Sequence, residues 1–126
     1  MVGMEFIKTD PDKVPPGYGP RIWIKFPHHP ATSKDSNVAG VFAAMDRLCM
    51  WGGADKSYRQ EANESNSWDP PIVLSWEFPS ANPKLHVRWI EALEALKAYG
   101  AKEIFDPVQK VVFFDGFFVQ LLTKKH

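Results

Sequence analysis

Between Lys110 and Thr123 the chain reads KVVFFDGFFVQLLT, and this stretch limits the folds open to it more than any other. Two runs of β-branched and aromatic residues flank Asp115-Gly116. Asp-Gly suits a two-residue type I′ hairpin turn, because both central positions need positive φ. Such a turn sets Phe114 opposite Phe117, Phe113 opposite Phe118 and Val112 opposite Val119, and opposed residues share a face. One face then carries Val112, Phe114, Phe117, Val119 and Leu121; the other carries Val111, Phe113, Phe118 and Leu122, with Gln120 among them. Both faces are apolar, as in strands buried on two sides. Between Val111 and Leu122 the only formal charge is Asp115. Left exposed, this hairpin would pair with copies of itself, so it has to lie inside a sheet, under helices or against a partner.

A chain of 126 residues suits one domain, 1–126, large enough to bury a core without staples. Lys plus Arg (15) balance Asp plus Glu (15), so no overall field favours nucleic acid or an acidic membrane surface. No run approaches 18 consecutive apolar residues, and no basic stretch precedes an apolar segment at the N-terminus. We therefore expect a soluble, cytoplasmic protein that engages neither membrane nor nucleic acid. Met4 suits a native start, with residues 1–3 as an appended leader. Cys49 is the single cysteine and falls in a helical apolar stripe, where a buried, inert thiol is expected.

In chain order, MEFIK (4–8) is a short strand, followed by the proline- and glycine-rich loop 9–20. RIWIKF (21–26) alternates, with Ile22, Ile24 and Phe26 inward and Trp23 interrupting the polar side. Val38, Val41, Phe42, Met45, Leu48 and Cys49 form one face of a helix capped at Asp35 or Ser36 and closed by Gly52-Gly53. Its small flank, Ala39, Gly40, Ala43 and Ala44, would let it approach a sheet closely. Residues 54–71 read as a long polar loop, with at most a short helix within Lys56–Ala62. Ile72–Phe78 alternates with Ile72, Leu74, Trp76 and Phe78 inward. Asn82-Pro83 opens a second helix striped by Leu85, Trp89, Ala92, Leu93, Leu96 and Tyr99 and ended by Gly100. Lys102–Phe105 adds a brief strand before the hairpin.

This order predicts an α+β fold: a two-layer sandwich with one mixed or antiparallel sheet of 4–6 strands. Both amphipathic helices should cover one face, with the hairpin at the C-terminal end. The hairpin's second face and Trp23 would still need cover, from loops 9–20 and 54–71 or from another protein.

Chemical motifs are sparse. Gly17-Tyr18-Gly19 lacks the strand-to-helix setting of a phosphate loop; Cys/His metal spacing and a Gly-x-Ser-x-Gly elbow are missing. We expect no cofactor and no metal. His28-His29 is the most chemical-looking pair, but neighbours on an extended segment point opposite ways, so a surface turn is the simpler expectation. Aromatic residues in polar loops stand out more: Tyr18, Tyr58 and Trp68, with Arg59, are types enriched at interface hot spots. The competing reading folds Tyr18 and Trp68 back as cover for the sheet.

Two functions follow. The first is a protein-binding module of inhibitor, immunity, accessory or adaptor type, acting on another protein or a second copy through Tyr18, Tyr58, Arg59, Trp68 and Phe118. The alternative is a small hydrolase using His28 or His29 as general base, with an activity inflection at about 6.5. A small-ligand pocket on the aromatic face ranks third.

Overall fold

The computed structural model describes residues 3–9, 20–49, 58–63, 65–78 and 85–104. The hairpin expected over Lys110–Thr123, with Phe118, lies outside these residues. So do Tyr18 in its proline loop and the caps at Gly52-Gly53 and Asn82-Pro83.

The described chain is α+β. A five-stranded mixed sheet is built from β1 (Glu5–Lys8), β2 (Arg21–Phe26), β3 (Tyr58–Glu61), β4 (Ile72–Glu77) and β5 (Lys102–Glu103), in the order β3-β4-β2-β1-β5. Only β1 and β5 pair in parallel. Two helices, α1 (Ser36–Cys49) and α2 (Leu85–Ala98), connect β2 to β3 and β4 to β5. Following the pairings, β2 runs parallel to β3 and β4 runs parallel to β5, so both helices are crossovers in interlocked split βαβ units. The two crossovers travel in opposite directions from strands of opposite sense. A half-turn about the sheet normal interconverts them, so equal handedness puts both helices on the same face. One core cluster accordingly joins Val41, Met45 and Leu48 of α1 and Trp89, Ala92 and Leu96 of α2 to Phe6, Ile22, Ile24, Phe26, Ile72, Leu74 and Trp76.

Local signals place the helix ends. Asp35 Oδ1 accepts from the Asn37 and Val38 N–H groups, an N-cap that satisfies two otherwise orphaned donors. Gly100 takes φ +81°, its N–H donates to the Lys97 carbonyl, and Ala101 N–H donates to Leu96, a Schellman closure. The small flank of α1 receives the other helix rather than the sheet: a Cβ at Gly40 would come within 2.5 Å of the Tyr99 ring.

Two expectations are corrected. No helix forms at Lys56–Ala62 among the described residues; residues 58–61 are strand β3. Four residues, YRQE, are too short and polar to show alternation, and the strand is specified by what it meets. The Tyr58 ring packs on Phe42 and Trp76, with centroids 5.4 and 5.7 Å apart, while Arg59 and Glu61 turn to the opposite face. Nor is the helix-free face simply polar. Ile7, Trp23, Val73 and Ser75 are at most 1% exposed, so β2 and β4 are buried on both sides.

Trp76 sits where these layers meet. Its ring packs on Phe26, Phe42 and Tyr58, and its indole N–H donates to Asp46 Oδ1 of α1 at 3.3 Å. Trp76→Ala should cost about 3–5 kcal/mol in a denaturant titration. Trp76→Phe should cost less, because it keeps an aromatic core and loses chiefly the bond to Asp46.

Candidate functional site

Long polar loops rarely hold one shape without internal hydrogen bonds, and the turn from β3 to β4 has them. Asn63 is its hub. The side chain is 3% exposed, and its carbonyl oxygen accepts from the Ser65 and Ser67 N–H groups at 2.9 and 3.1 Å. Its amide nitrogen donates to the Asp69 and Pro71 carbonyls at 2.7 and 3.2 Å, so every strong hydrogen-bonding position of the amide is used. Backbone bonds from Asn63 to Ser67 and from Asn66 to Asn63 close the turn. Asn66 takes φ +56°, which asparagine tolerates better than most residues. Ser67 Oγ accepts from Asp69 N–H.

This scaffold displays Trp68. The indole is 60% exposed, the most exposed large hydrophobic side chain among the described residues. It does not fold back as cover for the sheet. Gln60 Nε2 reaches the Trp68 carbonyl at 3.5 Å, which ties the loop to β3. On its outer side β3 has no neighbouring strand among the described residues.

The other sequence candidates separate. Tyr58 is half-buried, its ring committed to Phe42 and Trp76. Arg59 lies one position on, exposed, on the face away from the helices. Its Nε donates to Glu61 Oε1 at 3.1 Å; Ser75 Oγ donates to the same oxygen at 3.2 Å and accepts from Arg21 Nη1 at 2.9 Å. Burial, then the nearby Arg59, lower the pKa of Arg21, while Glu77 and Glu61 act the other way. Trp23 is wholly buried on this face, and its indole N–H has no hydrogen-bond partner among the described residues. The structure thus brings Tyr58, Arg59 and Trp68 to one corner of the sheet. Asn63 was missed; the run of Asn, Ser, Asp and Pro around it carries the turn signal.

His28 and His29 each hold a local partner in the segment that follows them. His29 Nδ1 accepts from Ala31 N–H and caps a single 3-10 turn, Pro30–Thr32. His28 Nε2 is hydrogen-bonded to Ser33 Oγ, which also accepts from Asp35 N–H. A histidine on a serine hydroxyl is the first contact of a nucleophile–base pair, but here both residues also shape the entry to α1. Among the described residues no group of three or more His, Cys, Asp or Glu gathers as metal ligands would, and no helix is long and apolar enough to cross a membrane. A cleft of about 380 Å³ between the helices is lined by Arg47, Leu48, Val87, Arg88 and Glu91, with Arg47 and Glu91 paired at 3.8 Å.

Asn63→Ala should lower stability by about 1–3 kcal/mol and speed proteolysis at 65–70, because several backbone groups lose their partner. Burial, and then Asp46, push the Cys49 thiol up to about 12 from an ordinary 9.0. The folded state holds this proton more tightly than the unfolded chain, so its stabilising contribution is complete below pH 9 and lost as pH rises toward 12. At pH 8 a thiol reagent should label Cys49 only after denaturant is added. No family model, curated protein or solved structure matches the chain.

Proposed function

We propose that this chain is a protein-binding module, working as an inhibitor, immunity factor or accessory protein works, by occupying another protein's surface. The observation that carries this reading is Trp68, 60% exposed on a loop tied down by Asn63. Tryptophan is among the residue types that dominate binding energy when they enter a partner's pocket. A loop already held in one shape loses little further entropy on docking, so more of that contact energy appears as affinity. Arg59 and Gln60 on the adjoining strand supply polar groups for the rim around such an anchor.

The test is capture from a lysate of the source cell by wild type and by Trp68→Ala, followed by titration of each retained protein in purified form. Trp68→Ala should weaken the specific partner at least about 30-fold, equivalent to about 2 kcal/mol. Its folding stability should stay within about 0.5 kcal/mol of wild type, since the indole is surface-exposed. A Trp68→Ala protein that binds every partner as tightly as wild type sinks the reading.

The hydrogen bond between His28 and Ser33 favours a second reading, a small hydrolase in which His28 activates a nucleophile. It requires an activity that disappears in both His28→Ala and Ser33→Ala. An activity indifferent to both substitutions removes it.

A further inference from the structure

We propose that the partner seated at this corner is a second copy of the chain, joined through antiparallel pairing of β3 with β3 of its twin. The inference rests on reading the Trp68 corner as a docking surface and names its occupant.

Symmetry and parity select the register. Two sheets joined edge to edge by a twofold axis along the sheet normal keep their helix layers on the same side. Directly opposed residues must then point to the same face, so residue i can oppose residue j only when i + j is even. For the four residues Tyr58–Glu61 this leaves few choices. Centring the axis on Arg59 sets Arg59 against its own copy. Centring it on Glu61 sets two carboxylates together. Centring it on Tyr58 brings no described charge opposite another. Centring it on Gln60 sets Arg59 opposite Glu61 of the twin, and Glu61 opposite Arg59 of the twin. That register alone forms opposite-charge pairs, and it forms two of them.

The atoms suit this exchange. Arg59 and Glu61 lie on the same face of β3, away from the helices, as their pairing with Ser75 and Val73 requires. Glu61 is 7% exposed and uses one oxygen, Oε1, for both Arg59 and Ser75. Its Oε2 takes no hydrogen bond among the described residues, which leaves an acceptor for a second guanidinium. On the opposite face Gln60 holds the Trp68 carbonyl, so an axis through Gln60 brings two exposed indole-bearing loops toward each other. The charge pairs set the register, and the tryptophans supply apolar surface for burial.

Sedimentation across a dilution series from about 1 mM to about 1 µM should show a reversible monomer–dimer equilibrium. Arg59→Glu and Glu61→Arg should each weaken dimerisation by about tenfold, since two attractive cross-strand pairs become repulsive. Mixed one to one, the two variants should form a heterodimer, because each then meets the opposite charge at both positions. Gln60→Cys gives a readout independent of charge. In the proposed register the two introduced cysteines stand opposite each other within disulfide reach, and the buried Cys49 stays out of the reaction. Mild oxidation should link Gln60→Cys into dimers and leave Arg59→Cys unlinked.

A wild type that stays monomeric throughout, or an Arg59→Glu protein that dimerises as well as wild type, overturns the proposal. So does equal cross-linking at positions 59 and 60. If Glu61→Arg fails to fold, the cross-linking pair decides. A monomeric wild type that still holds a foreign protein through Trp68 would end this inference and leave the binding-module reading standing. A dimer unchanged by Trp68→Ala and by the charge variants would end this inference and leave the binding-module reading to its own capture test.

Discussion

The contact on which the described structure depends most is Trp76. It lies on interior strand β4, packs against the rings of Phe26, Phe42 and Tyr58, and donates to Asp46 of α1 through its indole N–H. One residue therefore links β2, β3, β4 and α1. An indole can do this because it combines a large apolar surface with one directional donor. The ring supplies burial while the N–H fixes how α1 lies against the sheet. Trp23, on the neighbouring strand and the opposite face, has the same burial but no partner for its N–H among the described residues. The two tryptophans show how burial alone and burial with a satisfied donor differ in specificity.

The sheet's two faces obey different rules. On the helix side, apolar residues from three strands and two helices form one cluster, and few polar atoms enter it. On the other side, fully buried Ile7, Trp23 and Val73 sit beside a chain of polar contacts running from Arg21 through Ser75 to Glu61 and Arg59. Charges at this depth are tolerated only with partners, since removing a charge from water is expensive. That chain gives the β3 edge its polar character. Arg59 and Glu61 belong to the internal network and to the outer edge at once.

Trp68 and Asn63 divide two roles within one turn. Asn63 is buried and saturated with hydrogen bonds; Trp68, five residues on, is exposed. The first holds the loop in shape, and the second is what the loop presents. The histidines show the opposite economy. His29 spends a ring nitrogen on capping a turn, and His28 spends one on the serine that opens the approach to α1. Those local bonds give both residues a structural role at the entry to α1.

How far this was legible in the sequence depends on the range of the signal. Strands β1, β2 and β4, both helices and the Gly100 stop could be read directly, and the first cap was narrowed to Asp35 or Ser36, because alternation, helical periodicity and capping are properties of a few adjacent residues. A sheet, mixed or antiparallel, with helices on one face was expected from element order; that it is mixed was decided by the parallel pairing of β1 with β5. The C-terminal hairpin remains an expectation drawn from the sequence. Tertiary structure alone decided β3, since YRQE becomes a strand only where Tyr58 finds Phe42 and Trp76. It alone set Asn63 as the loop's hub, because that role needs the carbonyls of Asp69 and Pro71 folded back upon it. Gly40 offered space to any neighbour, and the fold gave it to Tyr99 rather than to the sheet. Short-range patterns determined which segments are regular. Contacts between residues distant in sequence decided which polar residues became structural and which were left exposed.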